Sequence, residues 1–228
     1  TDLTIEEGAT VTSTTGRIIG VAGSAITMNG TFTTTNLEGL HRHANSAIST
    51  TNTPTVTFGP NYIINFNGAA TQKIDSRTYE TLNISAAGNK VAQGNIIVNK
   101  NFSLATGGLD FNGFNLTVQG NVSNTGTFLC TSNTGKLILS GGTAPHSITG
   151  AGTYYNIELN DVQGATMASA LTSNGTLTLT NGEFTVGANT LLFHTSNTPL
   201  ARTAGTLALG ATSNLSFGNA GNQAGNDF

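Results

Sequence analysis

The sequence predicts an all-β fold, a parallel β-helix with roughly 20–25 residues per coil. Three observations predict it. Apolar residues recur at i and i+2 inside short segments, as in Phe102/Leu104, Leu109/Phe111 and Leu116/Val118, with Gly, Asn and Thr between the segments. Two-residue alternation marks strands, and stretches such as TNG, NGF and GAN are turn chemistry. The segments are spaced by seven residues (Phe102, Leu109, Leu116, and again Leu177, Phe184, Leu191). Such a period suggests a coiled coil only when helix formers fill the gaps, and here they do not. Finally, a shift of about 75 residues lays the chain on itself. About three strand-turn units close one coil, and each strand then pairs with the strand one coil away. A β-sandwich made of repeats would use the same turns and is the alternative fold.

Taken in order, the chain reads as a single solenoid over residues 1–228. Residues 1–66 form a partial repeat, in which an inserted loop at about 37–54 lacks alternation and is rich in Ser, Thr and Asn. A repeat of about 67–140 follows, then a second of about 141–218, and a tail of 219–228. The two repeats match at Tyr79 with Tyr154, Leu82 with Ile157, Phe102 with Leu177, Gly107 with Gly182, and Leu109 with Phe184. Tyr79 and Tyr154 are therefore expected to be packing residues and not a platform for sugars.

Composition narrows the function classes. Charged residues make up 8% and hydrophobic residues 37%, with 29 Gly and no Trp. The apolar residues alternate too regularly for a disordered chain. A formal net charge of −3 gives no electrostatic footprint for nucleic acid, and no apolar run reaches the roughly 18 residues of a membrane span. Neither nucleic acid nor membrane insertion is expected. Cys130 is the only cysteine, so an internal disulfide is excluded and the residue reads as a small core hydrophobe.

The phrases LTIEEGATV, ITMNGTFTTTN, GGLDFNGFNLTVQGNVSNTGTF and ITGAGTYYNIELN resemble the β-strand repeats of secreted surface proteins of Bacteroidetes. The similarity runs from Leu3 to about Gly218 and is structural and compositional. It implies adhesin-like β-helical rods, commonly exported by type IX secretion, and more distantly it is similar to filamentous haemagglutinin and autotransporter passenger domains. It also implies a signal segment and a sorting domain beyond this stretch, hence a processed chain or a piece of a longer one.

The concentrated ionisable cluster is Glu38, His41, Arg42 and His43. On a strand, His41 and His43 would share a side and could share a metal with Glu38. On an insertion loop they would instead form a partner-contact site or a plain solvated surface. The solvated surface is the plainest of these readings, the partner contact is the candidate site carried forward, and no metal or cofactor is expected. Carboxylates that could serve glycoside chemistry (Asp75 and Glu80, Asp110, Glu158 and Asp161, Glu183) are scattered, so no enzyme is expected. Thr-x-Thr rows, as in Thr176, Thr178 and Thr180, would suit an ice-binding face. Their counterparts 75 residues earlier, Asn101, Ser103 and Ala105, break that row. The expected function is a structural segment of an extracellular bacterial surface adhesin or filament, through self-association or continuation into further repeats. The alternatives are a module binding a surface glycan or protein, and a polysaccharide-active or ice-binding protein.

Overall fold

The computed structural model describes residues 2–194 and 198–218, so the tail 219–228 lies outside the described residues. Every regular element among them is a strand, and no helix is long and apolar enough to cross a membrane. Consecutive strands belong to different sheets. Phe102–Leu104, Gly108–Asp110, Leu116–Val118 and Val122–Asn124 fall in turn on a ten-stranded, an eight-stranded, a seven-stranded and again the ten-stranded sheet. Phe102 pairs in parallel with Leu82 on one side and Val122 on the other. A sandwich would pair chain neighbours across its tight turns, so the sandwich alternative falls and the parallel β-helix stands. The eight-, seven- and ten-stranded sheets are called here the first, second and third faces.

Coil length follows from the residues that meet across a coil. Asn83 meets Asn65 over 18 residues, Asn121 meets Asn101 over 20, and Ser147 meets Asn121 over 26. Asn65 meets Thr33 over 32, because the inserted loop lies inside that coil. Roughly six to seven residues per strand and turn, three times round, give the common separation of 20, as from Phe102 to Val122.

The 75-residue match has a different structural meaning from a repeated block of whole coils. Phe102 stands on the third face, and its counterpart Leu177 stands on the second. Leu109 stands on the first face and Phe184 on the third, and Tyr79 on the second and Tyr154 on the first. The match advances the chain by eleven strands, from the one holding Phe102 to the one holding Leu177. That is three coils and two faces. All three faces thus obey one rule, an inward apolar pair followed by a turn, and this strand-turn unit is what the sequence repeats.

The inward pairs stack into columns. Phe32, Ile64, Leu82, Phe102, Val122 and Ile148 follow one another on the third face and are all buried. Tyr79 and Tyr154 are fully buried, as expected of packing residues. Cys130 is also buried, its Sγ donating to the Gly135 carbonyl at 3.3 Å, and burial pushes its thiol pKa up.

At the corners the backbone of one coil presses on the next. Gly107 and Gly182, matched in sequence, both adopt positive φ (75° and 82°). A Cβ on Gly182 would lie 1.8 Å from the Asp161 carbonyl oxygen, and one on Gly107 would lie 2.7 Å from that of Ala86. Gly182→Ala therefore meets both a left-handed backbone, costing about 1–2 kcal/mol, and a clash with fixed backbone. The expected outcome is a loss of at least that amount in urea unfolding. An unchanged midpoint would show that this corner relaxes freely.

A three-stranded sheet, Leu3–Ile5, Ala25–Met28 and Thr55–Phe58, precedes the third face in the N-terminal coils, where the second face does so later. No ladder joins Thr55–Phe58 to Thr78–Tyr79, the first strand of the second face. Arg77 fills this seam. Its guanidinium carbon sits 3.8 Å from the Phe58 ring centroid and 5.9 Å from that of Tyr79. The Tyr62 hydroxyl crosses the same seam to donate to the Thr78 carbonyl at 2.5 Å.

Candidate functional site

The inserted loop has a buried base and an exposed tip. Leu40, Ser46, Ala47, Ile48 and Ser49 are fully buried. Ile18 and Ile48 form a parallel bridge, and the Ile48 amide donates to the Leu40 carbonyl at 2.7 Å. The loop lacks alternation because it builds its own small core and does not run along a face. The buried Asp75 carboxylate anchors it, accepting from the amides of Leu40 (3.3 Å) and His41 (2.6 Å). Burial raises the pKa of Asp75, and these amides oppose that rise. The Ser46 hydroxyl accepts from the amides of Arg42 and His43 and donates to the Glu38 carbonyl.

The four predicted residues divide into two arrangements. His41 is not beside His43 in function: its Nδ1 meets the Ile48 carbonyl at 2.9 Å, inside the loop. Among the described residues no group of three or more His, Cys, Asp or Glu is placed to hold a metal ion. Glu38, Arg42 and His43 do come together, with Lys73 as a fourth member that sequence reading missed. One Glu38 oxygen, Oε2, lies 2.7 Å from Lys73 Nζ, 2.8 Å from His43 Nε2 and 3.8 Å from Arg42 Nη1. The Asn45 amide donates to His43 Nδ1 at 3.0 Å, which leaves Nε2 as the proton-bearing nitrogen facing Glu38. Arg17 adds a fifth residue, donating from Nη1 to the Ala44 carbonyl and to Asn45 Oδ1 at 2.6 and 2.8 Å. Lys73 stands on the first face and Arg17 precedes the bridge at Ile18, so neither was visible as a neighbour in sequence.

Hydrogen bonds from Lys73 and then His43 hold Glu38 below the ordinary glutamate range. A depressed carboxyl stabilises the fold above its unfolded pKa, and that contribution is lost as pH falls through the lower folded value. The group is about one-third exposed, so solvent screening limits the contribution to under about 1 kcal/mol. Glu38→Gln should flatten the acid limb of stability between about pH 5 and pH 3 by that amount, read from urea midpoints. A steeper acid limb in the variant would contradict this.

The scattered carboxylates stay apart. Asp75 serves the loop, and Glu80 accepts from Asn99 Nδ2 at 2.6 Å. Burial alone would raise Glu158, but hydrogen bonds from Lys136 and Thr180 outweigh it and hold it low. Asp110 accepts from Asn112 and Thr131. Asp161 pairs with His146, a buried couple not foreseen from sequence. His146 Nδ1 meets the Gly120 carbonyl at 2.7 Å and Nε2 meets Asp161 Oδ2 at 3.0 Å. Both ring nitrogens thus face oxygen acceptors. Burial acts to raise Asp161, but the amides of Gln163 and Gly142 and the His146 ring hold it low. The couple is buried and ties together the turns at Gly120, Gly142 and Asp161 in successive coils.

The test of the Thr rows changes with the faces. Thr178 has Glu158 and Ala201 as its true neighbours on the second face, and Asn101 and Ser103 belong to the third. On the third face, Thr12, Thr33, Asn65, Asn83, Ser103 and Ser123 form one outward column, with Asn83 Nδ2 donating to Asn65 Oδ1 at 2.8 Å. The column is uncharged but mixed, and its side chains bond to one another.

Compared with known families, characterised proteins and solved structures, the chain matches none.

Proposed function

We propose that the chain is a structural segment of an extracellular bacterial surface adhesin or filament. The observation that carries this reading is the ten-stranded third face, whose parallel ladder runs from Thr10–Ser13 to Thr206–Leu209. Its nine steps of about 4.8 Å make a rod section of roughly 43 Å. Hydrogen bonds along the axis and stacked apolar columns resist bending and shield the backbone from proteases. The resemblance to secreted surface repeats of Bacteroidetes supports the extracellular setting and the type IX route. End-to-end growth has a structural basis too. Among the described residues Thr10–Ser13 and Asn214–Phe217 each have a ladder partner on one side only, and an unpaired strand edge is a template for another strand.

Electron microscopy of the purified chain across a range of concentrations, with the intact mass measured on the same material, tests this. Rods of constant width that lengthen with concentration are the expected outcome. Compact monomers at every concentration, with no elongated parent polypeptide in native material, would overturn it.

A further inference from the structure

We infer that the inserted loop is a binding site for the carboxylate groups of an acidic polysaccharide, carried by Arg17, Arg42, His43 and Lys73. This goes beyond the rod, which needs no ligand. The chain has only 8 Lys and Arg, and half of them are spent on the fold elsewhere. Lys90 is buried against carbonyl oxygens, Arg77 lies over Phe58, Lys100 meets Glu80 and Lys136 meets Glu158. The loop is where cations gather in excess. Lys73, Arg42 and the Nε2–H of His43 converge on one oxygen of Glu38, while Arg17 has only neutral partners, Ala44 and Asn45. The nearby Asp75 is buried and turned to the Leu40 and His41 amides, so it does not face a ligand.

The groups are held in place, which separates them from a casual surface patch. Arg17 bonds to Asn45, Asn45 to His43, His43 to Glu38, and Glu38 to Lys73, so Arg17, His43 and Lys73 share one connected frame on a buried loop core, with Arg42 3.8 Å from the same Glu38 oxygen. A fixed guanidinium fork suits a planar carboxylate. The chemistry around the charges favours a sugar over an acidic peptide. Asn45, Thr51, Asn52 and Thr53 are exposed at the tip and supply neutral partners for hydroxyl groups. Protein interfaces instead take much of their affinity from buried aromatic and Arg anchors, and the tip between Arg42 and Thr53 presents no exposed aromatic residue.

The experiment is affinity electrophoresis of the intact chain through gels containing polygalacturonate, neutral dextran or poly-glutamate. The expected result is retardation by polygalacturonate alone. It should fade as salt rises from 0.1 M to 1 M, where the screening length drops from about 10 Å to about 3 Å. Arg17→Gln with Arg42→Gln should abolish it at an unchanged melting temperature, while Lys136→Gln on the second face keeps it. Equal retardation by dextran, equal loss in Lys136→Gln, or no retardation overturns the inference. Stronger retardation by poly-glutamate overturns it in favour of an acidic protein partner. None of these outcomes bears on whether the chain forms rods, so the two proposals fail separately.

Discussion

Phe128→Ala should cost about 3–5 kcal/mol and split the unfolding of this chain into two transitions. Phe128 is buried on the first face, in the strand Thr127–Leu129. Its ring stacks on Phe111 of the coil before it at 5.3 Å, and lies 5.3 Å from Tyr154 of the coil after it and 5.8 Å from Phe102. Truncation removes contacts in both axial directions and leaves a void lined by aromatic rings, which neighbouring backbones fixed by ladders cannot close. In a solenoid, stability is approximately a sum of coil terms and nearest-neighbour interface terms. A lesion that weakens two successive interfaces therefore uncouples the coils on either side, so that each half unfolds nearer its own midpoint. Phe128→Leu keeps most of the volume and should retain one transition at a cost below about 2 kcal/mol. Urea titrations followed by circular dichroism distinguish the cases. A single transition in Phe128→Ala with less than 1 kcal/mol lost would mean that the stack carries no axial coupling.

The coil before Phe128 shows what could be read without coordinates. Phe102, Leu109 and Leu116 were legible as inward residues, because strand period and turn residues agree locally and each pair is enclosed within three positions. Which face each strand joins was not legible. That depends on the accumulated length of every turn before it, and the 18-, 26- and 32-residue separations show how much the turns vary. Hence a true sequence match of Phe102 with Leu177 crossed from one face to another. Glu38, Arg42 and His43 were legible as a cluster because they are adjacent in the chain. Lys73 and Arg17 join them through coil stacking, 35 residues after Glu38 and 28 before Asn45 respectively. His146 and Asp161 were hidden for the same reason: His146 opens a third-face strand, and Asp161 lies in the turn that leads to the third-face strand of the next coil. Lys90 is a plainer miss. In the segment Lys90–Ala92, alternation alone would place Val91 inside, yet Lys90 and Ala92 are buried and Val91 is half-buried. The ladder sets the phase: Lys90 pairs with Gln72 and Ala92 with the core residue Ile74.

Lys90→Met should remove a rise in stability that the native chain shows between pH 8 and pH 10. The Lys90 side chain is fully buried, and its ammonium donates to the Gly68 carbonyl at 2.9 Å and the Gly88 carbonyl at 2.6 Å. These carbonyls belong to corners of successive coils, so the ammonium clips one coil to the next. Among the described residues no carboxylate pairs with it, and burial brings its pKa from 10.5 down to about 8. Below pH 8 the lysine is protonated in both folded and unfolded chains, and the burial penalty is present in full. Above pH 8 the folded chain releases its proton while the unfolded chain keeps its own up to about pH 10.4. The unfolded state then binds more protons, so stability rises with pH across that window. At 1.36 kcal/mol per pH unit the gain between pH 8 and pH 10 is about 2 kcal/mol. Tyrosines act in the opposite direction and higher up. Burial raises Tyr62 to about 12 and also raises Tyr79; their contribution is intact below the unfolded tyrosine pKa near 10 and is lost only above it. Buried Cys130 lowers stability inside this window, as the unfolded thiol ionises at about 8.5 while the folded one stays protonated, but it does so equally in both proteins, so the variant-minus-native difference isolates the lysine. In Lys90→Met the two corner carbonyls lose a donor, which costs about 1–3 kcal/mol each where they stay dry, so the variant's stability at pH 7 mixes two opposing effects. The pH slope does not mix them, because neither Met nor a carbonyl titrates. Chemical denaturation at pH 8, 9 and 10 should give a variant-minus-native difference that falls by about 2 kcal/mol across the series. Parallel curves for the two proteins would mean that Lys90 keeps its proton in the folded core, and that the two carbonyls are sufficient to hold a charge there.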